Sequence, residues 1–598
     1  MRTRTILVCV ALAVAMAASG TTAVTADPGF TTDEDPMLTA VMGGVTVEAL
    51  LTVGEDIPGT DYQFEAIPDG ISVHIGDGGQ IELYVNHETS KVPFPFATNN
   101  PSAAAGESDF DNSQVSKLIM DTDGLLSGEF IIDSSEGLQR LCSNYLATAA
   151  EGFSKDILFT NEESPDYVLR QENSWPPPIG DPAEEENGVV IALDVATGEF
   201  HPIYGMGRHN HENDVALPGF DKVVVMSGDD TFTSGPLTIP AGGPLPAGSR
   251  PSQSQLYSYM AGNTKNLLED KGDLWAFVSD NPNVNDYYDF APSSPLSVSG
   301  RFIKVPRNIA TGKNPDGSEL KAADVGFPLP PTDGSWQRDL RDTFGPGNPQ
   351  IGIDGPQWVL EYWSQLNNVF DFVRVEDIAY DKRPGMDNVV YVVDTGRGTA
   401  GPSQPGRSTN GRVWKMVFNP DNPKKVNSLS VFVEGDDSPV KTLAEIHQPD
   451  NIETTQTGLL LTEDPGSSQQ FPRDSADPAA TPARLMYVPF SAPSPAVTVV
   501  KVDHTADGGP TDVGPLPTAN PSIGNWGAWE TSGIVDASAA FGPGWFLIDV
   551  QAHTLWVEKL AGPDTFIGTD TVPGDADFTY KREGGQLLKI YIPATIPV

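Results

Sequence analysis

Short runs of Val, Ile, Leu, Tyr and Trp recur along the chain, each bounded by Gly, Pro, Asp or Asn, and long amphipathic helical periodicity is scarce. The pattern predicts an all-β protein. One unit recurs: polar residues lead into a first strand, a Gly-containing turn follows, and a second strand ends on carboxylates. The clearest copy is Gln448-Pro449-Asp450-Asn451-Ile452, then Gly458, then Leu459-Leu460-Leu461-Thr462-Glu463-Asp464.

Five further copies are visible. They run from Pro68 through Gly78-Gly79 to Glu88, from Leu141 through Gly152 to Glu163, and from Arg208 through Gly219 to Asp230. Two more run from Arg374 through Gly385 to Asp394 and from Trp529 through Gly542 to His553. Six such units are expected to be the inner strands of a six-bladed β-propeller, which brings the same corner of every blade to one channel mouth. Carboxylates gathered at such a rim repel unless cations neutralise them, and hard oxygen ligands select calcium or a similar ion. The alternative is a set of unrelated hairpins.

The long gap between the third and fourth copies predicts a loop-rich insertion at about 231–370, with Pro- and Gly-rich stretches such as Phe327-Pro328-Leu329-Pro330-Pro331. Within it, Gln255–Met260 and Asp273–Val278 read as outer strands of the third blade. The rest of the chain, 27–598, is expected to be a single domain.

Residues 1–26 read as a secretory signal, with Arg2 and Arg4 before the apolar run Ile6–Ala18 and Val24-Thr25-Ala26 as the cleavage site. The apolar run is shorter than a bilayer span, so no membrane span is expected. Losing Arg2 and Arg4 leaves 34 of the 36 basic residues against 81 acids, a net charge of −47. That charge argues against nucleic acid as a partner and fits either a salty exterior or a store of carboxylates for calcium. Cys9 belongs to the signal, so Cys142 is alone: either a small buried apolar residue or a thiolate protected by a metal. His209 and His211, two apart, would share one face of a strand in a spacing that suits zinc or iron, unless they are exposed on a loop.

Cys142 followed by the pair Glu162-Glu163, the His211-Glu212 dipeptide, Arg374-Val375-Glu376 and Pro449-Asp450-Asn451 together resemble the PhoX-type alkaline phosphatases. The resemblance spans most of the chain, carried by these short motifs. It implies a secreted or periplasmic six-bladed propeller that hydrolyses phosphate monoesters at a calcium and iron cluster. It further implies Cys142, Glu162, Glu163, Glu212, Glu376, Asp450, Asn451, Glu463 and Asp464 as metal ligands, and Arg374 as the residue that binds phosphate. The alternative for Arg374 is an ion pair with Glu376 or Asp377.

The expected partner is a small-molecule phosphate ester, and the expected state is a monomer. The chain departs from the family where Ser143-Asn144-Tyr145-Leu146 follows the cysteine in place of a glycine-rich segment, at Val375 where proline is common, and at Thr3, which separates the arginines of the leader. Two other readings are a phytase-like or lactonase-like propeller hydrolase and a non-catalytic, calcium-stabilised extracellular propeller that binds a partner.

Overall fold

A computed structural model describes residues 29–88 (apart from 66, 77 and 78), 113–164, 185–231, 236–250, 254–290, 296–336, 352, 354–396, 410–435, 443–464, 481–506 (apart from 494 and 505), 529–552 and 584–593, with the short strands 167–168, 556–558 and 578–580. The expected signal at 1–26 lies outside the described residues.

The chain is all-β in its main elements, with a propeller-like arrangement of sheets. Each sequence repeat begins an antiparallel meander whose strands are four in the simplest sheets. The innermost strands are Pro68–Ile75, Leu141–Ala147, His211–Ala216, Val375–Tyr380, Pro449–Thr454 and Glu530–Asp536. Each pairs with the strand that follows its Gly turn. The third and fourth meanders are fused into one nine-stranded sheet because Ser297–Lys304 pairs with Asn422–Glu434 along their outer edges. The strands Leu256–Ala261 and Asp273–Ser279 belong to the third meander.

What drives the packing is visible in where the apolar residues go. The second strands of the sheets are buried on both faces, so Val389–Asp394 and Gly458–Glu463 are apolar for most of their length and do not alternate, whereas the outer strand Ser297–Lys304 alternates. The apolar clusters lie between successive sheets. Leu141 and Leu158 of the second meet Tyr84 and Val115 of the first, while Ile452 and Leu459 of the fifth meet Val389 and Val413 of the fourth. The cycle closes, with Leu547 and Leu587 of the last sheet packed on Ile71 and Leu83 of the first. Closure is also covalently staggered: the last sheet takes its outer strand, Thr46–Thr52, from near the start of the chain, paired with Gly585–Tyr591.

The stretch expected to be loops also contains a helix, Pro356–Leu366, which the sequence reading did not pick out. Proline at its first turn is pre-set for helix and lacks only a donor that would be unpaired there. Trp358 packs on Trp336, and Gln357 donates to the carbonyl oxygen of Ser164, so the helix is anchored to the second meander. No helix among the described residues is long and apolar enough to cross a membrane.

Candidate metal centre

All six inner hairpins carry the same irregularity. Pro68 faces His87 and Ile71 faces Val85, so Asp69 and Gly70 together oppose the single residue Asn86; the same two-against-one mismatch recurs in every other hairpin. Such a bulge bends the strand and re-aims its side chains. The first residues of the bulges are Asp69, Cys142, Glu212, Glu376, Asp450 and Ser532. The second residues, Gly70, Ser143, Asn213, Asp377, Asn451 and Gly533, all line one cavity of about 260 Å³. The inner strands approach one another so closely that a Cβ on Gly70 would lie 2.2 Å from the backbone nitrogen of Asn144. Only glycine fits there.

The second strands contribute from one residue past their paired ends. The N–H groups of Glu88, Glu163, Asp230 and Asp464 donate to the carbonyl oxygens of Ile67, Arg140, Asn210 and Gln448, at 3.0–3.2 Å. These turns back place their side chains beside the bulges. Arg140, Arg374 and Gln448, each the residue before an inner strand, adopt positive φ values of 47°, 63° and 48°. Backbone strain of this kind, about 1–3 kcal/mol per residue, persists where the surroundings over-determine it and tends to cluster at functional sites.

The result is a buried patch of acids around one thiol. Four groups of ligand atoms lie within 4.8 Å of one another: Asp69, Glu88 and Cys142; Cys142, Glu163 and Glu212; Glu163, Asp230 and Glu376; and Glu212, Glu376 and Asp450. The Cys142 thiol donates to Asp69, and Ser143 Oγ donates to Glu212 Oε1 at 2.6 Å. Arg374 meets Asp230 through two parallel bonds of 2.8 Å, lies 2.9 Å from Glu376 and 3.6 Å from Asp464. With Asp464, its side chain is among the more exposed parts of the patch. Arg140 stands 3.8 Å from Glu88.

Burial first, and then mutual repulsion, pushes the carboxyls of Glu163, Glu212, Glu376 and Asp450 far above the usual range. Burial raises Asp69 as well, partly offset by bonds from Cys142 and Ser532. Burial, then the charges of Asp69 and Glu212, pushes the Cys142 thiol up. Burial alone would lower Arg374, but Asp230 and Glu376 override it and hold the guanidinium protonated. Seven acids and a thiol face two arginines, a donor set that fits cations in place of protons.

Of the residues expected as ligands, Cys142, Glu163, Glu212, Glu376 and Asp450 fall in these groups. Glu162 and Glu463 stand outside them. Glu162 accepts the N–H groups of Gln139 and Val189, both at 3.2 Å, and Glu463 accepts that of His447 and forms a buried ion pair with Arg484. Asp464 sits beside Arg374 at the edge. Asn451 is turned to its neighbours, with Nδ2 donating to Ser143 Oγ at 2.9 Å.

His209 and His211 are buried, neither exposed nor drawn into the patch: their rings meet edge to face at 3.6 Å, and His211 Nδ1 lies 2.8 Å from Ser227 Oγ. The sequence reading missed Asp69, Glu88, Asp230 and Arg140 as site residues. The signal was present, since Pro68-Asp69 stands in its repeat where Pro449-Asp450 stands in another.

Fold and site define a class: an all-β, propeller-like protein with buried acidic groups and one thiol, compatible with metal binding, at the inner ends of its sheets. No protein-family model and no curated protein matches the chain. Among solved structures it is similar to Pseudomonas fluorescens PhoX in complex with vanadate, a transition-state analogue, at 14% identity and a TM-score of 0.48, covering 94% of this chain and 97% of that one. It is also similar to Penicillium chrysogenum alpha-L-arabinanase complexed with arabinobiose, at 7% identity and a TM-score of 0.33, covering 91% of this chain and 98% of that one. Neither likeness assigns a role to a residue of this chain.

Proposed function

We propose that the chain is a secreted, metal-dependent phosphatase that hydrolyses phosphate monoesters at a calcium and iron cluster in the mouth of a six-bladed propeller, built as a single domain over 27–598 and acting as a monomer. The observation that carries this reading is the meeting of Cys142, Glu163, Glu212, Glu376 and Asp450 with Arg374 in one buried patch, from hairpins far apart in sequence.

Oxygen ligands from Asp69, Glu212, Glu376 and Asp450 suit calcium, while the Cys142 thiolate suits a softer ion such as iron. What the cations supply when bound is electrostatic: polarisation of the phosphoryl oxygens and neutralisation of charge on the leaving oxygen. In this reading Arg374 orients the ester. Its guanidinium presents two parallel donors, now facing Asp230, and a phosphate offers the same pair of acceptors. Asp464 lies partly exposed beside it.

Hydrolysis of p-nitrophenyl phosphate by the metal-loaded protein, lost in Glu212→Gln and Cys142→Ala, is the expected outcome. No turnover over a panel of phosphate esters would sink the reading. The same Arg374–Asp230 pairing favours a second reading, a calcium-stabilised propeller without catalysis, in which Arg374 is a structural counter-charge. In that case Arg374→Ala unfolds the protein more easily without changing affinity for phosphate.

A further inference from the structure

The hairpin register singles out a position outside the acid and thiol groups. One residue of each second strand opposes the bulge: Asn86, Asn161, Gly228, Val393 and Thr462 in five hairpins, and Asp549 in the last. Only the last is ionisable. The asparagines at this position are donors to the next inner strand. Asn86 Nδ2 donates to the carbonyl oxygens of Cys142 at 2.7 Å and Ser143 at 3.1 Å, and Asn161 Nδ2 to that of Glu212 at 3.2 Å. An ionised aspartate can only accept.

The inner strand next to Asp549 in the cycle is Pro68–Ile75, and it comes close: a Cβ on Gly533 would lie 2.4 Å from the carbonyl oxygen of Asp69. Asp549 is 0% exposed, and neither of its carboxylate oxygens has a hydrogen-bond partner among the described residues. Gln551, two residues on, shares that face of the strand. Its Nε2 donates to Ser532 Oγ at 3.2 Å, while its Oε1, also buried, has no partner among the described residues. Glu530 stands directly opposite Gln551. Burial, then the charges of Asp69 and Glu530, pushes the Asp549 carboxyl well up.

A buried carboxylate without a donor is costly, and it is relieved by a proton or by a cation. A proton serves one oxygen. A cation answers for both and can also take Gln551 Oε1, the unsatisfied acceptor on the same face of the strand. We propose that Asp549 and Gln551 Oε1 anchor a site for a hard divalent cation of the calcium class, lying between the last inner hairpin and the first. Such an ion would join the two ends of the cycle. This site stands apart from the phosphatase reading and does not depend on it.

The test is calcium stoichiometry by titration of the full chain, with the calcium-dependent rise in Tm, for the wild type, Asp549→Asn and Asp450→Asn. Asparagine already occupies the matching position in two hairpins, so it fits. The expected result is one calcium fewer per chain in Asp549→Asn and a smaller rise in Tm, with the Asp450→Asn loss additive to it. Unchanged stoichiometry and an unchanged Tm response in Asp549→Asn would show a protonated aspartate and overturn the proposal. Loss in Asp450→Asn alone overturns it while leaving the central cluster standing; loss in Asp549→Asn alone supports it and removes calcium from the central reading. Should Asp549→Asn fail to fold, Gln551→Met is read in the same way, with calcium affinity at least about tenfold weaker.

Discussion

Glu162 and Glu163 are consecutive, both buried, and have opposite surroundings. Glu162, on the last paired position of its strand, takes two backbone N–H groups and holds a corner of the sheet. Glu163, one residue later, turns inward among Cys142, Glu212, Asp230 and Glu376, with no such donors for its charge. The same division separates Glu463, bound to Arg484 and His447, from Asp464 beside Arg374, and Asp394, which accepts the N–H of Val373, from the bulge residue Glu376. In each pair the carboxylate that receives backbone N–H groups is part of the frame. One that faces other carboxylates is available to a cation.

Breaking a frame acid is expected to have the largest effect. Glu463→Ala strands Arg484, whose side chain is 2% exposed, and should cost about 3–5 kcal/mol in denaturant unfolding whether or not metal is present. Glu186 sharpens the contrast, because it accepts the N–H of Gln357 but burial and Glu319 push its carboxyl up to about 8. The folded chain keeps that proton to higher pH than the unfolded chain, which releases it near 4.5. Its contribution to stability is full below 4.5 and lost as pH rises to about 8, roughly 5 kcal/mol in all. Glu186→Gln should flatten that part of the stability profile.

At the inward acids the sign reverses. Glu212→Gln relieves repulsion, so the metal-free protein should be as stable as the wild type or more so. The stabilisation by added cation, about 2.7 kcal/mol at a hundredfold excess over Kd, should be lost. Arg374→Lys keeps the charge but not the planar fork. It should lower kcat/KM for a phosphate ester roughly 10- to 100-fold with little change in unfolding midpoint.

The repeats were legible because apolar strands, glycine turns and terminal acids leave a local pattern, and the propeller-like arrangement follows from it. Which acid turns inward was not. Glu162 and Glu163 differ by one position, and what separates them is where the pairing ends: Glu162 is the last paired residue, opposite Leu141, while Glu163 turns back to the carbonyl oxygen of Arg140, a matter of register and not of residue type. Asp69 was missed for the same reason, although it occupies the same bulge position as Asp450. The helix Pro356–Leu366 was hidden by the Pro- and Gly-rich stretches around it, which read as loop. The histidines at 209 and 211 were expected to be metal ligands or exposed. Both are buried: His211 faces Asp229 across the third hairpin with its Nδ1 2.8 Å from Ser227 Oγ, and the ring of His209 packs on that of His211.

The most direct measurement is elemental analysis of the purified protein after incubation with calcium and iron, compared between the wild type and Glu212→Gln. Bound calcium with iron in the wild type, and a clear loss of metal in a variant that still folds, is what the inward-facing acids predict. A folded wild type that retains no metal, or a variant that retains as much, would contradict the central claim.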